Sequence, residues 1–100
     1  MAGVTLYEPL LNCLSASMWE EGGIQYRSNI LHAVGAKIAL HAHSYDHTAR
    51  IKGRMLMTVS DVSSEVADTE VFIPAWHQHS FELLEGINGI GEVLCFWRAE

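Results

Sequence analysis

From Ile24 onward, apolar residues alternate with polar ones, and β-branched or aromatic types recur in short runs broken by Gly, Asp or Ser. An extended chain sends successive side chains to opposite faces, so a period of two belongs to strands that bury one face. The runs predict strands over 24–34, 37–43, 46–52, 54–60, 69–73, 79–84 and 91–98, separated by Gly35, Gly53, the polar stretch from Ser60 to Asp68 and the region from Gly86 to Gly91. Many short strands with closely spaced turns predict an all-β fold, a small antiparallel β-barrel or sandwich. The segment Asp61–Asp68 reads as a solvated hairpin or loop.

Ahead of these strands, Leu6, Leu10, Leu14 and Met18 recur at steps of four, with Leu11 beside them and Gly22-Gly23 after them. That spacing predicts a short N-terminal helix over 5–19 whose apolar stripe serves packing or a dimer surface. Thr5 and Glu8 form a reciprocal capping pattern, although Pro9 leaves the start of the helix open. A length of 100 residues is one domain's worth of chain, read as a helical segment over 1–23 and a barrel over 24–98.

The chain is 49% hydrophobic and 18% charged, enough apolar material to fold. Its formal net charge is −6, and its basic residues are scattered at Arg27, Lys37, Arg50, Lys52, Arg54 and Arg98. Nucleic-acid affinity rests on clustered cations, so no nucleic-acid partner is expected. No apolar run approaches the ~20 residues of a membrane span. Glu8 and Pro9 stand where a secretion signal needs positive charge and an unbroken apolar stretch. The expectation is a cytoplasmic protein with no membrane partner. Cys13 and Cys95 do not make a disulfide framework and read as free buried thiols.

The histidines are the least random feature. Five of the six fall at His41, His43, His47, His77 and His79. On a strand, His41 and His43 project from the same face into one space. A turn after Ser44 returns His47 to that space, and His79 arrives from a neighbouring segment. Gathered imidazoles without a metal would each need a hydrogen-bond partner once buried. Four nitrogen donors suit Zn, Fe, Ni, Cu or Mn. His32, standing apart, reads as a hydrogen-bonded core or surface group. Other metal patterns fail. HAHSYDH has one residue too many before Asp46 for the HxHxDH of metallo-β-lactamases, no Glu follows His43 as HExxH requires, and no paired cysteines mark a structural zinc.

At these residues the sequence resembles the cupin family, whose first motif is G(X)5HXH(X)3,4E(X)6G and whose second is G(X)5PXG(X)2H(X)3N. Gly35, His41, His43 and His47 stand in frame with the first, and Gly53 comes one residue early; Pro74 and His79 are in register with the second. The resemblance implies a jelly-roll barrel over about 24–98 with a divalent metal in its mouth, held by His41, His43, His47 and His79 or by three of these with His47 turned away. It also implies a homodimer, since dimers are common in the family. His47 replaces the family's Glu, Asp68 and Trp76 replace two glycines, and Leu83 replaces the Asn. Imidazole in place of carboxylate leaves the ion one positive charge richer, which favours polarising an anionic or enolisable ligand.

Strand parity adds further candidates. Tyr45 shares the parity of His43 and His47 and is a candidate catalytic residue, as a proton donor or a lining group of the turn. His77 has the parity of His79 and is a candidate base. Arg27 and Gln25 are either holders of an anionic ligand or a solvated or paired pair of side chains. Trp76, Phe81, Phe96, Trp97, Met55 and Met57 read as barrel filling, and Asp46 as a turn hydrogen-bonder. The expected function is a metal-dependent enzyme on a small oxygenated molecule, of dioxygenase or lyase/isomerase type. The alternative is a non-catalytic, metal-stabilised binding or structural module.

Overall fold

The computed structural model describes residues 14–99. Seven strands make up the described chain: β1 (Leu14–Glu21), β2 (Ile24–Leu31), β3 (Lys37–His41), β4 (His47–Val59), β5 (Val62–Ile73), β6 (His79–Glu85) and β7 (Gly91–Arg98). All pairings are antiparallel, in the order β1-β2-β7-β4-β6-β3, with β5 also on β4. The fold is all-β, a single antiparallel sheet curled into a half-barrel.

Strand β4 organises the curl. One edge pairs with β5 along its length, while the other pairs with β7 over 48–52 and with β6 over 54–59. The handover falls at Gly53, where the register slips and φ is +104°. A Cβ there would lie 3.0 Å from the Glu85 carbonyl oxygen, so the bend needs a residue without one. Alternation along β4, β6 and β7 sends Ala49, Ile51, Met55, Phe81, Leu83, Val93 and Cys95 inward, where they pack with Leu31, Ala36 and Ile73.

Two expectations from sequence are corrected. Residues 14–19 are not helical: they belong to β1, which pairs with β2 from Leu14↔Leu31 to Glu21↔Ile24. A step of four is also a multiple of two, so Leu14 and Met18 share a strand face as readily as a helix face. Gly22 and Gly23, at φ +59° and +81°, form the tight loop with two left-handed residues that suits a two-residue hairpin. The rest of the expected helix, 5–13, lies outside the described residues. Of the two readings of Asp61–Asp68, hairpin or loop, the structure shows the solvated hairpin. Beyond a turn at Ser60 and Asp61 the segment is most of β5, polar because nearly every residue there is exposed. The strands expected over 46–52 and 54–60 are one bulged strand.

Candidate metal centre

Three strand ends and one connecting segment bring the histidines together. His41 closes β3, His79 opens β6, and the two are register partners across the sheet. His47 opens β4, and His43 lies in the segment 42–46 that joins β3 to β4. This segment is sewn to residues 74–78, which lead into β6. The Trp76 amide donates to the His43 carbonyl at 2.7 Å, and the Ala75 amide donates to Asp46 Oδ1 at 2.7 Å. Asp46 is thus a bridge between two segments distant in sequence. Trp76 makes its bond with φ at +66°, and Asp68, the other non-glycine at a motif glycine position, has φ +48°.

One ring nitrogen from each of His41, His43 and His79 lies within 4.8 Å of the others. His41 Nδ1 donates to the Ala39 carbonyl at 2.6 Å, and His79 Nδ1 donates to the His77 carbonyl at 2.9 Å. A carbonyl can only accept, so each proton sits on Nδ1 and each Nε2 keeps its lone pair, the arrangement typical of metal-binding histidines. His47 stands beside the triad, its ring centroid 5.2 Å from that of His43 and 5.1 Å from that of His79. It is 3% exposed, and neither of its nitrogens nor His79 Nε2 has a hydrogen-bond partner. Buried polar atoms without partners are costly, and a cation here would satisfy His79 Nε2 and whichever His47 nitrogen carries the lone pair, leaving the His47 N–H unpartnered.

Burial favours the neutral form of His43, His47 and His79. His43 is lowered to about 4, first by burial, then by His41, His79 and Arg27. His47 is also lowered to about 4, by burial and then by His79, His43 and His41; a weak opposing pull from the Tyr45 backbone falls short of hydrogen-bond geometry. His79 is lowered by burial, against the raising effect of its bond to the His77 carbonyl. Neutral imidazole is the form that binds metal.

The triad opens into a cavity of about 430 Å³, whose walls include Arg27, Asn29, Tyr45, Cys95 and Trp97. Small-molecule sites typically occupy about 300–1,000 Å³. Tyr45 is stacked between His43, at 4.9 Å, and Trp97, at 4.5 Å. Burial is the main cause that raises its pKa, followed by Cys95, with Arg27 opposing, so its hydroxyl keeps its proton. Burial also raises the Cys95 thiol to about 11.

Other residues singled out from sequence lie elsewhere. His77 is exposed and shares a hydrogen bond with Ser60 Oγ at 3.0 Å, apart from the clustered rings. Gln25 donates to the Trp19 carbonyl. Trp76 is 70% exposed, so it does not fill the barrel, because its left-handed backbone turns it outward from the connecting segment. Phe96 lies between Tyr26 and the Arg50 guanidinium. His32 is an exposed partner of Ser15. The sequence reading missed Asn29 and the lining role of Trp97. Both follow from the pairing of β2 with β7, which sets Arg27 opposite Cys95 and Asn29 opposite Val93.

No protein-family model matches the sequence, and no curated protein matches it significantly. Solved structures do match. A cupin-2 domain protein of Rhodospirillum rubrum superimposes with a TM-score of 0.72 at 26% identity over 88% of this chain, which spans 61% of that protein's length. A cupin superfamily protein of Desulfitobacterium hafniense gives 0.71 at 15% identity, covering 89% of this chain and 80% of its own. KdgF from a Halomonas species gives 0.70 at 13% identity, covering 89% and 83%. The chain has the cupin fold.

Proposed function

We propose that this cupin holds one divalent transition-metal ion through His41, His43 and His79, with His47 at its side, and acts as an enzyme on a small oxygenated molecule. The supporting observation is the convergence of three imidazole nitrogens beside a cavity of about 430 Å³, with the nitrogens of His47 and His79 Nε2 buried and unpartnered. When bound, such an ion supplies Lewis-acid polarisation of a ligand oxygen or a site for dioxygen. The backbone carbonyls of Ala39 and His77 orient His41 and His79. Tyr45 presents a protonated hydroxyl at the cavity, suited to donating a hydrogen bond to a substrate oxygen. Trp97 and Phe81 contribute apolar wall to the cavity.

The alternative is a non-catalytic module in which the ion holds the sheet closed. An extensive apolar core around Ile51, Met55, Leu83 and Val93, which continues into the cavity wall at Phe81 and Val93, favours a preformed scaffold. The test is turnover or oxygen uptake by metal-loaded protein on a panel of hydroxy acids, keto acids, diketones and phenols. Turnover that disappears in His41→Ala while the fold persists supports the enzyme. Metal-loaded protein inert on the whole panel contradicts it.

A further inference from the structure

The cavity's charge is as informative as its metal-ligating face. The chain carries twelve Asp and Glu residues against six Lys and Arg, yet among the described residues no carboxylate lines the cavity. Among the described residues, the one charged side chain in its wall is Arg27. Arg50, Lys52 and Arg54 are each paired with glutamates on the outside of the sheet, whereas Arg27 has no carboxylate partner among the described residues. Its side chain is instead steadied by neutral groups. Nε donates to Asn29 Oδ1 at 3.3 Å, and Nη1 lies 3.9 Å from Met18 Sδ. Arg27 is the register partner of Cys95 on the inner face of β7, and its field reaches His43, Tyr45 and Cys95.

The ligand set deepens this bias. Where the motif carries a carboxylate this chain has His47, so a divalent ion held by neutral rings keeps its full charge. The cavity of an acidic protein is then cationic on two sides, and nothing in its described walls compensates. A guanidinium presents a planar fork of donors that matches a carboxylate and is the usual choice for binding one.

We propose that the ligand of this cavity is a small carboxylate, and that Arg27, steadied by Asn29, is the residue that selects it. This rests on the metal-dependent reading above and adds the chemical class of the ligand. Arg27 binds and orients the carboxylate while another oxygen of the same molecule faces the histidines.

The experiment is calorimetric titration of zinc-loaded protein with malonate and with its neutral analogue malonamide, for the wild type, Arg27→Gln and Arg27→Lys, with the zinc content of each measured. Charge-assisted hydrogen bonds of this kind are worth about tenfold to a hundredfold in affinity. Arg27→Gln is expected to lose that factor for malonate, to keep its malonamide affinity and to retain its zinc. Arg27→Lys, which keeps the charge but not the fork, should fall between the two and guards against a folding defect in the glutamine variant. Equal malonate affinity in wild type and Arg27→Gln, or zinc-loaded wild type with no preference for malonate over malonamide, overturns this inference alone. Failure of the wild type to take up zinc or any other divalent transition metal overturns the metal reading and this inference with it.

Discussion

His41 and His79 face each other across the β3–β6 ladder with ring centroids 4.3 Å apart, each tied through Nδ1 to the carbonyl two residues before it in the chain. The two rings are held in the same tautomer by the same local device, and both Nε2 lone pairs remain for a cation. Second-sphere partners alone typically alter metal affinity 10–100-fold. Replacing a direct ligand should do more. His41→Ala and His79→Ala are each expected to weaken zinc binding by at least about a hundredfold, measured by competition with a chromogenic chelator.

His47 carries two buried nitrogens with no partner, a burden of about 1–3 kcal/mol for each unsatisfied group. Leucine fills a similar volume without a polar atom. His47→Leu should therefore stabilise the metal-free protein by about 1–2 kcal/mol in urea unfolding. It should also reduce the extra stability that zinc confers, because the ion loses a neighbouring lone pair. A destabilised metal-free variant would show that His47 is satisfied in a way the geometry does not contain.

The depressed pKa values of His43 and His47 make the metal-free protein acid-sensitive. Both are about 4 when folded, against 6.5 for an unperturbed imidazole. The unfolded chain binds these protons first, so stability is full above about pH 6.5 and is lost progressively as pH falls towards 4. Thermal melts of metal-free protein should show the melting temperature falling across this window. The double variant His43→Gln, His47→Leu should flatten the slope.

Asp46 joins the two segments that carry His43 and lead to His79, through its bond to the Ala75 amide. Asp46→Ala should lower stability by about 1–2 kcal/mol and zinc affinity about tenfold, while Asp46→Asn, which keeps the oxygen acceptor, should retain most of both. An alanine variant with unchanged zinc affinity would mean that the site is set without this bridge.

Trp76 is exposed and holds a left-handed backbone. A side-chain-bearing residue in that region is strained by about 1–2 kcal/mol. Trp76→Gly relieves this and gives up little burial, so it should raise stability by about 1 kcal/mol in urea unfolding.

The inward faces of β4, β6 and β7 were legible because each buries one side, and alternation records that directly in residues such as Ile51, Phe81 and Val93. The histidine cluster was legible through motif spacing. β1 was not, because Leu14 and Met18 satisfy both periods. β5 was hidden because almost all of it is wet, which leaves no apolar face for alternation to mark. Trp76 was misplaced because aromatics usually fill cores, whereas this one lies in the connecting segment 74–78 with φ at +66° and is exposed. Arg27 was already a candidate holder of an anionic ligand, but Asn29 was not, because it reaches the cavity through the register of β2 on β7, and register between strands distant in sequence is written in neither strand alone.

Elemental analysis of untagged protein, beside its His79→Ala variant, bears most directly on the histidine cluster. One equivalent of a divalent transition metal per wild-type chain after metal-replete purification, falling to a small fraction in His79→Ala with the fold retained, is the expected result. Wild-type protein with no metal above trace, or equal metal in both proteins, would contradict it.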